Sequence, residues 1–254
     1  MNIVSFTPQD AGAMVRWVLN RPPLLALGKS AHLPAPGQLD LEALAQQLGR
    51  TQRLGQRFEW LVAAILAGSG RYQILAKDSP LVVDKRTLGA PDLILRDNHS
   101  GQLEHWELTV KFYLGLPQGW LGPGQRDWLE HKASHLARQQ LPLLSTPQAQ
   151  GWLAERGWAI SERRLLSRGL LFGQGPAHDW LAQGHEQGSW FRLGELPAGR
   201  WYGLARWQWL AEVDTAQLVP FNGITDQPLM LLDANTGLRH MLVPSDWPQE
   251  KGEP

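Results

Sequence analysis

The chain has 254 residues, 43% of them hydrophobic and 19% charged, with 24 Lys/Arg matched by 24 Asp/Glu. That composition supplies a large buried core and excludes intrinsic disorder for most of the chain. There is no cysteine, which excludes a disulfide framework, a zinc-thiolate site and a cysteine nucleophile, so any metal has to sit on oxygen or imidazole. The longest apolar run, residues 61–67, falls far short of the ~20 residues that span a bilayer. The chain also starts without a basic segment followed by an apolar signal core. A soluble, cytoplasmic protein with no membrane partner is expected.

Neutrality hides an asymmetry: residues 1–176 carry 19 basic and 14 acidic side chains, and residues 177–254 carry 5 and 10. The first portion is able to face a polyanion and the second is not. Aromatic usage leans on 13 Trp, against 6 Phe and 3 Tyr, which reads first as core filling and second as a stacking surface.

Residues 1–40, rich in Pro and Gly after position 20, read as an irregular or helical lead-in. Asp40 reads as the N-cap of a helical run from Leu41 to Gly68, divided by Gly49 and Gly55. On its second part, Arg50, Arg53 and Arg57 lie on one flank of the apolar stripe and Glu59 on the other. Short β-rich segments follow at 72–76, 81–84, 92–96 and 103–114. Residues 97–101, Asp-Asn-His-Ser-Gly, turn the last two into an antiparallel hairpin. After a Gly-rich loop at 115–124 come helices at 126–141 and 147–158 and a strand at 169–173. Residues 41–176 therefore form an α/β core of layered α+β type. Residues 177–254 read as a small Trp-rich β appendage, with strands at 190–191, 201–213, 230–233 and 238–243.

Chemistry concentrates at residues 105–114, HWELTVKFYL. Alternation puts Trp106, Leu108, Val110, Phe112 and Leu114 on an apolar face, and His105, Glu107, Thr109, Lys111 and Tyr113 on a polar one. Asp92, directly after Pro91, opens the partner strand and lies beside Glu107 if the hairpin pairs as its turn suggests. Two adjacent carboxylates need a shared proton or a cation, and Mg²⁺ or Mn²⁺ on oxygen ligands meets that need. Glu59 adds a third carboxylate if its helix packs behind the hairpin. His131 and His135, at helical i, i+4 spacing after Asp127, make a weaker zinc candidate without the glutamate of an HExxH motif. No GxSxG elbow, P-loop or dinucleotide fingerprint occurs, so no small-molecule cofactor is expected.

Asp92, Glu107 and a following lysine, bracketed by an acidic helix and a second helix, resemble the PD-(D/E)XK restriction-endonuclease-like fold of nucleases. More closely, the segments RFEWLVAAIL, GAPDLILRD, HWELTVKFYLG, GWLGP and HKASHLARQQLPL resemble a bacterial family known as domain of unknown function 1853. The resemblance implies a Mg²⁺- or Mn²⁺-dependent phosphodiesterase acting on nucleic acid. It further implies that Asp92, Glu107 and the Leu108 carbonyl ligate the metal. The superfamily's lysine position is occupied by Thr109; Lys111 lies one pleat further, roughly 6.5–7 Å along the strand. Lys132, expected on the inward stripe of the next helix, is the other candidate. Either would position the attacking water, while Arg50, Arg53, Arg57 and the 115–124 loop would meet backbone phosphates. The alternative is a catalytically inactive module of the same fold that binds nucleic acid or a protein partner.

Overall fold

The computed structural model describes residues 5–83 and 85–248. Its first element, α1 (Pro8–Asn20), starts from a capping box: Thr7 Oγ1 accepts from the Asp10 N–H at 3.2 Å and the Thr7 N–H donates to Asp10 Oδ2 at 2.8 Å, with Pro8 in the first turn. The helix buries Met14, Trp17 and Val18 completely. Within the segment expected as an irregular or helical lead-in, residues 8–20 are thus a helix that joins the core and residues 21–40 a loop, and T-P-Q-D is a legible helix start. The loop holds the two-residue strand β1 (Lys29–Ser30). Asp40 caps α2 (Leu41–Leu48), its Oδ1 accepting from the Ala43 N–H, and α3 (Leu54–Gly68) follows the expected break.

Strand β2 (Tyr72–Lys77) leads into a separate hairpin, β3 (Leu81–Val83) with β4 (Arg86–Gly89). The last residue of the strand expected at 81–84, Asp84, lies outside the described residues. Strands β5 (Leu93–Asp97) and β6 (Leu103–Leu116) form the anticipated hairpin. Asp97 closes its turn by accepting the His99 N–H on its side chain and the Gly101 N–H on its carbonyl. The Gly-rich loop proves to be a second hairpin, because β6 runs on to pair with β7 (Gly119–Leu121). The helix expected at 126–141 is α4 (Leu129–His135) followed by a π-helical turn, Leu136–Gln140, and α5 (Pro147–Ala154) ends earlier than expected.

The strand β8 (Ile160–Phe172) is the main departure in the core, since only 169–173 was expected. Its first half, exposed or half-buried, carries alternating charges that mask the strand pattern, and two of them pair with neighbouring strands. Arg164 pairs with Glu104 of β6 at 2.9 Å and Glu162 with Lys29 of β1 at 2.8 Å. β8 runs parallel to β6 through Phe172, and the order β1-β8-β6-β5-β2 makes a mixed sheet that β7 and β9 (Glu186–Gly188) extend. Gly169 faces Lys111 across this pair; a Cβ there would fall 1.7 Å from the Lys111 carbonyl oxygen. One face of the sheet packs Trp106, Leu108, Phe112 and Leu114 against α1, α2 and α3. The other packs Tyr113 against Leu129 and Leu136, and Ile94 against α5.

Strands β10 (Trp190–Arg192), β11 (Trp201–Leu204), β12 (Leu229–Asp233) and β13 (Arg239–Val243) form a second sheet in the order β10-β13-β12-β11. The strand expected at 201–213 stops at Leu204, where the Ala205 N–H donates to Gln208 Oε1 and a 3₁₀ turn, Arg206–Leu210, begins. This sheet is no appendage. Tyr202, Trp209, Met230, Met241 and Trp247 belong to the same hydrophobic cluster as α1, α3 and β6. The indole N–H groups of Trp190 and Trp247 donate to the carbonyls of Gly115 and Pro123. The tryptophans thus fill the core, with Trp17, Trp106, Trp209 and Trp247 among the largest fully buried side chains.

A core shared across residue 176 should unfold as one unit. Denaturant titration followed by tryptophan fluorescence and by far-UV circular dichroism is expected to give coincident single transitions. Trp209→Ala should lower stability by about 3–5 kcal/mol in both signals together; two separate transitions would restore a domain boundary there.

Candidate active site on the central hairpin

The register of β5 and β6 pairs Leu93 with Trp106, which sets Asp92 opposite Glu107. Glu107 is fully buried. Asp92 Oδ2 accepts the Leu108 N–H at 2.7 Å, tying the β5 entry to β6. Because N–H and C=O of one strand residue project to the same side, the Leu108 carbonyl also faces the side on which Asp92 stands. Glu107 accepts from His105 Nε2 at 2.7 Å on one oxygen and from Gln140 Nε2 at 2.9 Å on the other. Gln140 ends the π-helical turn, whose extra residue re-aims the side chains after it.

Two groups at this site escaped the sequence reading. His105 was seen as one polar residue among five, but it lies inside, wholly buried. Gln140 carried no signal at all, because the π turn breaks the 3.6-residue period that would have located it. Asp78 is a third addition. It follows β2 at φ 47° and its N–H donates to the Asp92 carbonyl at 3.1 Å, so backbone strain accompanies a carboxylate beside the pair.

Charge distinguishes this pair from the other buried carboxylates. Asp97 has the Arg71 guanidinium at 3.1 Å and Glu104 has Arg164 at 2.9 Å. Burial pushes the His105 imidazole down to about 4, so it is neutral at pH 7 and donates a hydrogen bond to Glu107 without cancelling its charge. Burial raises the Asp92 carboxyl to about 7, helped by the adjacent Glu107 charge. Burial likewise raises Glu107 to about 7. Glu59 on α3 is raised to about 7 by burial and then by Asp78 and Asp92, which places it within electrostatic reach of the pair.

The lysine candidates separate. Lys111 is half-buried on β6, and burial is the main cause that lowers its pKa, with Lys132 adding to it and Asp127 and Asp92 opposing. Lys132 is corrected: it is exposed, 3.9 Å from Asp127 Oδ2, while Leu129, Ala133 and Leu136 face inward. Asp127 in turn accepts the Tyr113 hydroxyl at 2.6 Å. Among the expected phosphate contacts, Arg50 and Arg53 are exposed. Arg57 is the exception, only 2% exposed, its Nε–H donating to the Leu48 carbonyl and its guanidinium 4.8 Å from the Phe6 ring. It is not part of a solvent-facing basic flank. His131 and His135 are exposed on α4. Among the described residues no group of three or more His, Cys, Asp or Glu stands at ligand spacing.

The family model described as domain of unknown function (DUF1853) matches residues 14–230. The chain belongs to the DUF1853 family. No curated protein and no solved structure matches it significantly. The DUF1853 match runs from α1 into β12 without a break at residue 176, in agreement with the shared core. No helix among the described residues is long and apolar enough to cross a membrane.

The raised carboxyls fix the sign of a pH effect. Asp92, Glu107 and Glu59 titrate near 7 when folded and near 3.8 to 4.5 when unfolded. Between about pH 4 and 7 the native state therefore binds more protons, and these groups cost stability as pH rises. His105, lowered from 6.5 to about 4, acts in the opposite sense over part of the window. The clean measurement is a difference: Asp92→Asn is expected to melt several degrees above wild type at pH 8, in the absence of divalent cations, with the gap narrowing steadily as pH falls and closing only near pH 4, where the unfolded carboxyl is protonated as well. Equal melting curves at pH 8 would mean that Asp92 carries no electrostatic strain.

Proposed function

We propose that this protein is a metal-dependent phosphodiesterase, a nuclease of the PD-(D/E)XK-like class, with its centre at Asp92 and Glu107. The observation that carries the reading is the pair of buried Glu107 and half-buried Asp92, which among the described residues has no guanidinium or ammonium in ion-pair contact, whereas the other buried carboxylates, Asp97 and Glu104, each have one. The order α3, antiparallel β2, β5 and β6, then α4 and parallel β8 supports it, because it is the helix, strands, helix, strand sequence that the resemblance implies.

A divalent cation fits the donors present: Asp92, Glu107 and the Leu108 carbonyl would hold it. Mg²⁺ suits a site of two carboxylates, since it keeps several waters and completes its shell with substrate phosphate. When bound, it supplies charge stabilisation for the phosphoryl oxygens and a more acidic water. The protein's own groups do the rest. His105 and Gln140 donate to Glu107 and fix the orientation of its carboxylate. Glu59, raised into the neutral range, is suited to exchange a proton with water at the pair. Lys111, desolvated and on the same strand face, offsets charge that develops on the phosphate. The exposed Arg50 and Arg53 hold backbone phosphates without reading sequence.

A second reading, an inactive module that binds nucleic acid or protein, is favoured by two observations. Both Glu107 oxygens already accept hydrogen bonds, and Thr109 stands where the superfamily has lysine.

Incubation of the purified protein with end-labelled DNA and RNA in Mn²⁺ or Mg²⁺ decides between them. Cleavage should occur and fall by roughly a hundredfold or more in Asp92→Asn and Glu107→Gln, as loss of several kcal/mol of charge stabilisation requires. Binding without cleavage, equal in wild type and Asp92→Asn, would select the inactive module. Mn²⁺ should also raise the melting temperature more at pH 8 than at pH 5.5, because it competes with protons for the same oxygens. A shift independent of pH would place the metal elsewhere.

A further inference from the structure

Arg57, displaced from the expected basic flank, lines a cleft of about 780 Å³ between the N-terminal end of α3, the loop after β7 and the second sheet. Gln52, Pro123, Arg206, Trp207 and Thr225 also face this cleft. Three arginines are buried in the described chain, and their hydrogen bonding differs. Arg168 donates to the carbonyls of Val18 and Ser167, and Arg239 to those of Trp209 and Ala211. Arg57 is 2% exposed and has one carbonyl acceptor, Leu48, on Nε. Among the described residues its terminal amino groups have no hydrogen-bond or ion-pair partner. A guanidinium carries five donors; the terminal amino groups of Arg57 are not among the buried atoms left without a partner, so they keep access to the cleft that Arg57 lines.

The surroundings have the same sign. Arg206, on the rim, lies 3.8 Å from the Trp209 ring and makes no ion pair among the described residues. The N-cap of α3, Arg53, brings no side-chain cap, so the positive end of a 15-residue helix adds to the field. The acidic group lining the cleft, Asp226, is exposed. Trp207 is half-buried and stacks edge-on against Phe6, whose ring also carries the Arg57 guanidinium, so an aromatic wall runs from the arginine to the cleft surface.

We infer that this cleft binds a nucleotide-sized phosphomonoester, its phosphate held by Arg57 and Arg206 and its ring system placed against Trp207. Guanidinium forks match phosphate oxygens in pairs, and a cleft of 780 Å³ lies in the range that encloses a small organic ligand. The site uses none of Asp92, Glu107 or Lys111, so the inference does not rest on the proposed phosphodiesterase activity.

Isothermal titration calorimetry with adenosine monophosphate, inorganic phosphate and adenosine tests it. Saturable binding is expected for the nucleotide, weaker binding for phosphate and the weakest for adenosine. Arg206→Gln, a change at an exposed rim, should weaken nucleotide binding about tenfold, the value of one charge-assisted hydrogen bond, and leave the far-UV circular dichroism of the free protein unchanged, the loss of its contact with the Trp209 ring lowering the melting temperature only slightly. Asp92→Asn should bind as wild type. Absence of nucleotide and phosphate binding would overturn the inference, and so would an affinity undiminished in both Arg206→Gln and Arg57→Lys. Loss of binding in Asp92→Asn alone would assign the ligand to the carboxylate pair instead.

Discussion

The register of one hairpin governs the rest of the site. Pairing Leu93 with Trp106 puts Asp92 directly opposite Glu107, and the 2.7 Å hydrogen bond from the Leu108 N–H to Asp92 holds that register at the strand's entry. A slip of one residue would turn Glu107 into the apolar layer and Trp106 out of it, reversing every contact the sheet makes. The apolar face of β6, packed on α1, α2 and α3, resists that slip with the burial of Trp106, Leu108, Phe112 and Leu114. The same burial that secures the strand removes Glu107 from water and so creates the electrostatic tension at the pair.

The tension is local and selective. The protein neutralises Glu104 with Arg164 and Asp97 with Arg71, each a strand-to-neighbour contact at the periphery of the pair. At Asp92 and Glu107 it offers neutral donors instead: a backbone N–H, an amide and an imidazole kept uncharged by burial. Neutral donors orient a carboxylate and leave its charge available to a cation or a proton. That is how Asp92 and Glu107 differ from Asp97 and Glu104 in this chain.

The second sheet bears on the same site at a distance. Its 3₁₀ turn packs on α1 and α3, and the Trp190 and Trp247 indoles bond to the carbonyls that flank the β7 hairpin. The far end of β6 is therefore clamped by residues more than 70 positions away in sequence. Charge asymmetry along the chain does not mark a structural boundary, because the basic and acidic portions meet across a single hydrophobic core.

Local pattern was enough to determine the hairpin, its turn, the two faces of β6, the Asp92 and Glu107 pairing and the cap at Asp40, since each depends on period-two alternation or on groups within a few residues. Family membership was also legible in those segments. Tertiary structure alone decided which charged residues are buried. Arg57 and Lys132 were placed by helical angle, but the neighbours that cover one and leave the other exposed come from Phe6, the 3₁₀ turn and the β7 loop. The first half of strand β8 was hidden because its exposed and half-buried charges lack the apolar alternation of a strand; its pairing to β1 and β6 comes from long-range partners, Lys29 and Glu104 among them. Gln140 reached Glu107 through a π turn that no side-chain period announces. Periodicity records what a segment prefers next to itself, whereas the free energy of a buried charge is set by partners that only the folded chain brings within reach.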